Sequence, residues 1–231
     1  MRGRAAVESL WWLVHKDLSR ELRARSVWPG MLLLGLVLVF LVATQIDLPI
    51  EQRTHVAAGL LWMAIFFAGT LALERSFANE RDAGCWRTLM LYPVAPSVLF
   101  LAKMAVNFVS LVVLEIVIIP VFTVMTDVPL LARPAAIALV ALLGNIGFAA
   151  VGTLLSAITA DLRNRGGLLA LLLLPLVTPV ILGSAQATSL MLAEPIDQPW
   201  WQWIQLLAVF AIVFTGVGAL VFEFVMEDGV G

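Results

Sequence analysis

Two sets of residues in this chain are of types that could bind a partner or carry out chemistry. The first is the stretch Glu74, Arg75, Phe77, Glu80, Arg81, Asp82, Gly84, Trp86 and Arg87. Charges of both signs alternate there with Leu73, Phe77, Trp86, Leu89 and Met90 at helical spacing, the pattern of an amphipathic helix rather than a disordered linker. Such a helix lies on a membrane surface or is presented to a soluble partner; a plain solvated loop is the third reading. The second is a single carboxylate, Glu115, in the middle of a long apolar run. An ionised carboxylate at the centre of a bilayer costs at least ~2.5–3.5 kcal/mol, so it must face protein or water, or carry a proton. Asn145 and Gln186 are its candidate partners, and a structural hydrogen bond between helices is its plainer role.

The signatures of catalysis are missing. There is no G-x-x-x-x-G-K-[ST] phosphate loop, no dinucleotide fingerprint, no H-E-x-x-H and no nucleophile elbow. The single cysteine, Cys85, rules out a disulfide framework or a thiolate metal site within one chain. No catalytic residue, bound cofactor, metal or nucleic acid is expected. If the protein transports or does mechanical work, its energy source is on another chain.

The elements that position these residues follow from composition. With 61% hydrophobic and 13% charged residues, the chain is not a soluble domain. A spanning helix needs about 20 apolar residues, with about 17 as a minimum. Apolar runs long enough place six spans at 27–46, 55–73, 98–126, 134–160, 167–187 and 202–223, the third only if Glu115 is tolerated. Residues 1–26 form a cytosolic amphipathic elbow, 74–97 a cytosolic segment between spans two and three, and 188–201 an external tryptophan-bearing connection. One side carries Arg2, Arg4, Lys16, Arg20, Arg23, Arg25, Arg75, Arg81, Arg87, Lys103, Arg163 and Arg165; the other carries only Arg53 and Arg133. The positive-inside rule puts the rich side, and both termini, in the cytoplasm. The first apolar run is longer than the core of a cleavable signal, and none is evident.

Finer expectations follow. In the elbow, Val7, Trp11, Val14, Leu18 and Leu22 form an apolar face with Lys16, Arg20 and Arg23 turned elsewhere, suited to an anionic lipid surface. Lys103 is expected to snorkel to the interface. Pro120 should bend span three, and Pro175 with Pro179 should kink or break span five. Gly144, Gly147 and Gly152 make a small-residue packing face. Trp200, Trp201 and Trp203 read first as an aromatic belt, and otherwise as a haem-handling surface. His55 is the one external histidine and cannot supply two axial ligands.

A resemblance adds to this reading. Leu71-Ala72-Leu73-Glu74-Arg75 with Phe77, Gly84, Leu89-Met90-Leu91 and Pro93 resembles the cytosolic segment of the haem exporter B family of cytochrome c maturation, the membrane subunit of an ABC-2-type complex. Lys16-Asp17-Leu18 with Glu21-Leu22-Arg23, Leu101-Ala102-Lys103, and Arg165-Gly166-Gly167 with Leu174-Pro175 are similar too. The resemblance implies an all-α, six-span permease of the bacterial inner membrane. It implies partners: a cytosolic ABC ATPase that holds the ATP, haem-handling membrane subunits, and a second copy of this subunit. Haem is then cargo of the complex, exported or released with its chaperone at the outer face. A general exporter permease for a lipid-linked or amphipathic substrate, or a passive scaffold for haem-delivery proteins, are the alternatives.

Overall fold

The computed structural model describes residues 9–19, 28–45, 50–82, 95–159, 168–192, 196 and 198–228. A short helix, α1, covers residues 9–19. Six longer ones follow: α2 (Trp28–Gln45), α3 (Ile50–Asp82), α4 (Pro96–Thr126), α5 (Pro134–Thr159), α6 (Leu168–Met191) and α7 (Gln198–Asp228). Each of the six contains a stretch long and apolar enough to cross a membrane. A helix bonds its backbone polar groups within one apolar segment, which is why uncharged runs of this length take this form in lipid. The all-helical, six-span architecture expected from the sequence is present.

Local signals set the ends of α4. Pro96 occupies its first turn, after Ala95 in an extended conformation (φ −59°, ψ 135°), and a first-turn proline sacrifices no helical hydrogen bond. The helix stops at Asp127, whose φ of 56° is left-handed, a conformation Asp tolerates better than most residues. One turn of 3-10 helix, Leu130–Ala132, then leads towards α5.

Of the kink or break expected in span five, the break is absent. The helix α6 is not broken, because it runs from Leu168 to Met191 through both Pro175 and Pro179. Both prolines sit on its exposed face, and Thr178 Oγ1 donates locally to the Leu174 carbonyl at 2.7 Å. The helix α4, in which Pro120 is expected to produce a bend, is also one uninterrupted element through that residue. Nor does α3 end where its charges begin. It passes through Glu74 and Arg75 to Asp82 as one helix of 33 residues. Charges end an apolar run and therefore a span, but they do not end a helix. Residues 70–82 contain no glycine or proline and include several good helix formers.

At the centre of the bundle, α5 packs on α3, α4, α6 and α7. Its glycines admit close neighbours: a Cβ at Gly152 would stand 2.4 Å from a Leu73 methyl, and one at Gly144 would stand 2.9 Å from Ser184 Oγ. Between helices in lipid the hydrophobic drive is weak, so packing rests on such close approach. Phe66 of α3 stacks on Phe148 of α5 with ring centres 5.6 Å apart, and Phe100 of α4 lies 5.7 Å from Phe222 of α7.

Candidate functional site

The membrane-crossing part of α3 is Arg53–Glu74. Residues 75–82 carry the same helix roughly 12 Å further at ~1.5 Å per residue. Glu74, Arg75, Phe77, Glu80, Arg81 and Asp82 therefore lie on one helix that is continuous with the span. Gly84, Trp86 and Arg87 lie outside the described residues. A continuous helix transmits a push or a tilt from its cytosolic end into the bundle, whereas a hinged one would absorb it.

Most of the polar side chains buried in the bundle are on α4 or bonded to it. Near its cytosolic end, Lys103 Nζ lies 2.7 Å from Asp17 Oδ2 of α1, with 5% and 10% of the two side chains exposed. One turn further, Asn107 Nδ2 donates to Thr153 Oγ1 of α5 at 2.8 Å. Trp28 Nε1 of α2 donates to Ser110 Oγ at 3.3 Å, and Ser110 donates in turn to the Val106 carbonyl. Near mid-span, Asn145 Nδ2 donates to Glu115 Oε2 at 2.6 Å. Ascending α4 from Asn107 to Glu115 matches descending α5 from Thr153 to Asn145, so the two pairs fix one antiparallel register. Polar side chains thus tie α4 to α1, α2 and α5.

Of the two partners considered for Glu115, Asn145 takes the role and Gln186 lies on the exposed face of α6. Glu115 Oε1 and Asn145 Oδ1 remain buried without a hydrogen-bond partner. The expectation that Lys103 snorkels is corrected, because its ammonium points into the protein. Sequence reasoning missed Asp17 as its counter-ion. The signal was an acid at the seventh position after Leu10 on the stripe Leu10, Leu13, Val14, Asp17 and Leu18, which is the face α1 turns inward.

At the outer end a second set of bonds joins α3 to α6. Trp62 Nε1 donates to Thr188 Oγ1 at 2.9 Å, and His55 Nδ1 pairs with Ser189 Oγ. The tryptophans beyond differ in exposure. Trp200, Trp201 and Trp203 all lie within α7 rather than in a loop. Trp200 is 4% exposed, while Trp201 is 54% exposed and packs edge-on against it at 4.8 Å. Trp203 is half-buried. Among the described residues, no group of three or more His, Cys, Asp or Glu side chains is placed to hold a metal ion.

Comparison with known proteins follows the same extent of chain. A family model described as CcmB protein matches residues 8–227, from the start of α1 to the last turn of α7. The chain is similar to heme exporter protein B of Pseudomonas aeruginosa, 29% identical over 203 residues covering 86% of this chain and 90% of that one. It is similar to the protein of that name from Rhodobacter capsulatus, 29% identical over 175 residues, covering 73% and 79%. A third, from Paracoccus denitrificans, is 29% identical over 178 residues, covering 74% and 79%.

Proposed function

The chain belongs to the CcmB protein family, and on that premise we propose how it works. It is a non-catalytic permease subunit of an ABC-transporter complex for cytochrome c and haem biogenesis, with the multi-pass topology of a bacterial inner-membrane protein. A cytosolic ATPase grips the segment from Glu74 to Arg87 and holds the ATP. Closure of the ATPase on nucleotide displaces that segment, and α3 carries the displacement into the bundle as a rod. At the outer end, Trp62 and His55 pass it to Thr188 and Ser189 of α6. The work done there is export of haem, or release of a haem-loaded chaperone held by haem-handling membrane subunits. A two-fold ATPase pair calls for two copies of this subunit, since closed symmetric assemblies repeat the same contact.

The observation that supports this reading most is the unbroken helix from span to charged segment. Affinity purification from native membranes tests it, with partners identified by mass spectrometry and bound haem read by absorbance. An ABC ATPase together with haem-handling membrane proteins is the expected result. An ATPase without such partners would make the chain a general exporter permease, and no ATPase at all would make it a scaffold.

A further inference from the structure

Among the described residues, the buried side-chain oxygens without a hydrogen-bond partner are Glu115 Oε1, Asn145 Oδ1 and Ser184 Oγ. They lie on three helices, yet at one level of the bundle. Glu115 and Asn145 are joined through their other polar atoms at 2.6 Å. Ser184 Oγ stands 2.9 Å from where a Cβ would sit on Gly144, the neighbour of Asn145. None of the three residues is more than 4% exposed. Buried oxygens are ordinarily bonded to protein or to ordered water, so this level calls for a polar guest.

Glu115 also has no counter-charge beside it. The helices packed most extensively on α4 are α2, α3, α5 and α7. Residues 28–45, 54–73, 134–159 and 198–222 of these contain no Asp, Glu, Lys or Arg, and neither does α6. His55 and Arg133 stand at outer ends. On α4 itself Lys103 and Asp127 are each ~18 Å away along the axis at ~1.5 Å per residue, and Lys103 is held by Asp17. A carboxylate at this depth is balanced by a proton or a cation. A metal cation takes a full shell of oxygens, more than these three. A proton asks for less. Asn145 Oδ1 can only accept, whereas Oε1 accepts when ionised and donates when protonated. One water between them serves both states, donating to both oxygens or accepting from the carboxyl and donating to the amide.

The two sides of this level differ. One turn towards the cytoplasm, Leu111 of α4 and Phe148 of α5 are buried, and a Cβ on Gly69 of α3 would stand 2.6 Å from the first and 2.9 Å from the second. Phe66 stacks on Phe148. This apolar layer separates the three oxygens from Asn107 and Thr153, which bond each other. Outward the surroundings are polar. One turn along α6 from Ser184, Thr188 accepts from Trp62, whose ring also borders Gly144. The next residue, Ser189, pairs with His55, which is exposed.

We infer that Glu115, Asn145 and Ser184 form a hydrated proton-binding site that exchanges with the outer aqueous phase and is sealed from the cytoplasm by Leu111, Phe66 and Phe148. The proton comes from water at the outer face and returns there along the seam of α3 and α6.

The test uses infrared spectroscopy of the full chain in lipid nanodiscs. A protonated-carboxyl band is assigned to Glu115 by its loss in Glu115→Gln. In the parent protein it should grow as pH falls and shift within minutes of transfer to heavy water. Ser184→Ala and Thr188→Val should each slow that shift severalfold. Thr153→Val, on the far side of the apolar layer, should leave it unaltered. Unfolding temperatures establish that each variant is folded. No titrating band from Glu115, or a shift that takes hours, would overturn the inference. Unchanged exchange in both outer variants would overturn the outer route, as would slowing by Thr153→Val instead. A band that responds to sodium in place of choline at fixed pH would make a metal cation the occupant and overturn the proton. Neither the ATPase nor any haem-handling subunit is present, so failure here is distinct from failure of the proposed function.

Discussion

Asn145 reaches across from α5 to donate to Glu115 of α4 at 2.6 Å, closing the gap between two spans near their middle. The bond uses one carboxylate oxygen and leaves the other, and the amide oxygen of Asn145, buried without partners. Glu115→Gln keeps an acceptor for Asn145 and adds a donor, so its stability should lie within about 0.5 kcal/mol of the parent. Glu115→Ala leaves the Asn145 amide stranded, at a cost of about 1–3 kcal/mol. Thermal unfolding of the purified protein in one detergent separates the two. Equal losses would mean that this bond contributes nothing particular.

Glycines give a paired prediction about packing. At Gly152 a methyl would meet Leu73 at 2.4 Å, while at Gly59 a methyl would meet nothing within 4 Å. Gly152→Ala should cost about 1–3 kcal/mol through overpacking. Gly59→Ala should be neutral or stabilise by roughly 0.5–1 kcal/mol, because alanine suits a helix interior better. The same unfolding assay reads both.

The tie between α3 and α6 is tested by Trp62→Phe. The ring volume is largely kept, but the bond from Nε1 to Thr188 is lost. A cost of about 0.5–1.5 kcal/mol is expected. Co-purification of the ATPase should be unchanged, while ATP-dependent output at the outer face should fall. Unchanged output would remove α6 from the path of the motion.

Continuity of α3 is a mechanical claim and can be broken at one residue. Ala78→Pro inserts a helix breaker between the span and Asp82, at a local cost of about 3 kcal/mol. Residues beyond it can still bind, so the ATPase should be retained while ATP-driven output is lost. Retained output would mean that α3 need not act as a rod.

Much of this architecture was legible in the sequence, for particular reasons. The six spans could be read because uncharged runs of that length have few other uses, and the side preference of Arg and Lys oriented them. Asn145 could be named as a partner for Glu115 because few polar side chains share its depth. What escaped was long-range pairing and continuity. Lys103 looked like a snorkelling end-residue because its counter-ion, Asp17, lies far back in the chain on a different helix. The charges at Glu74 and Arg75 mark where lipid ends, and hydropathy is silent on whether the helix ends with it. Trp200, Trp201 and Trp203 are equivalent in the sequence, and their unequal exposure follows only from how they are wound into α7.

The central claim is that the charged continuation of α3 is where an ATPase takes hold. Its most direct test is the combined charge reversal Glu80→Lys, Arg81→Glu and Asp82→Lys, followed by affinity purification from membranes and quantification of the co-purifying ATPase. Reversal should reduce ATPase recovery at least severalfold while the protein still inserts and unfolds at its normal temperature. Recovery equal to that of the parent protein would contradict the account and place the docking surface elsewhere.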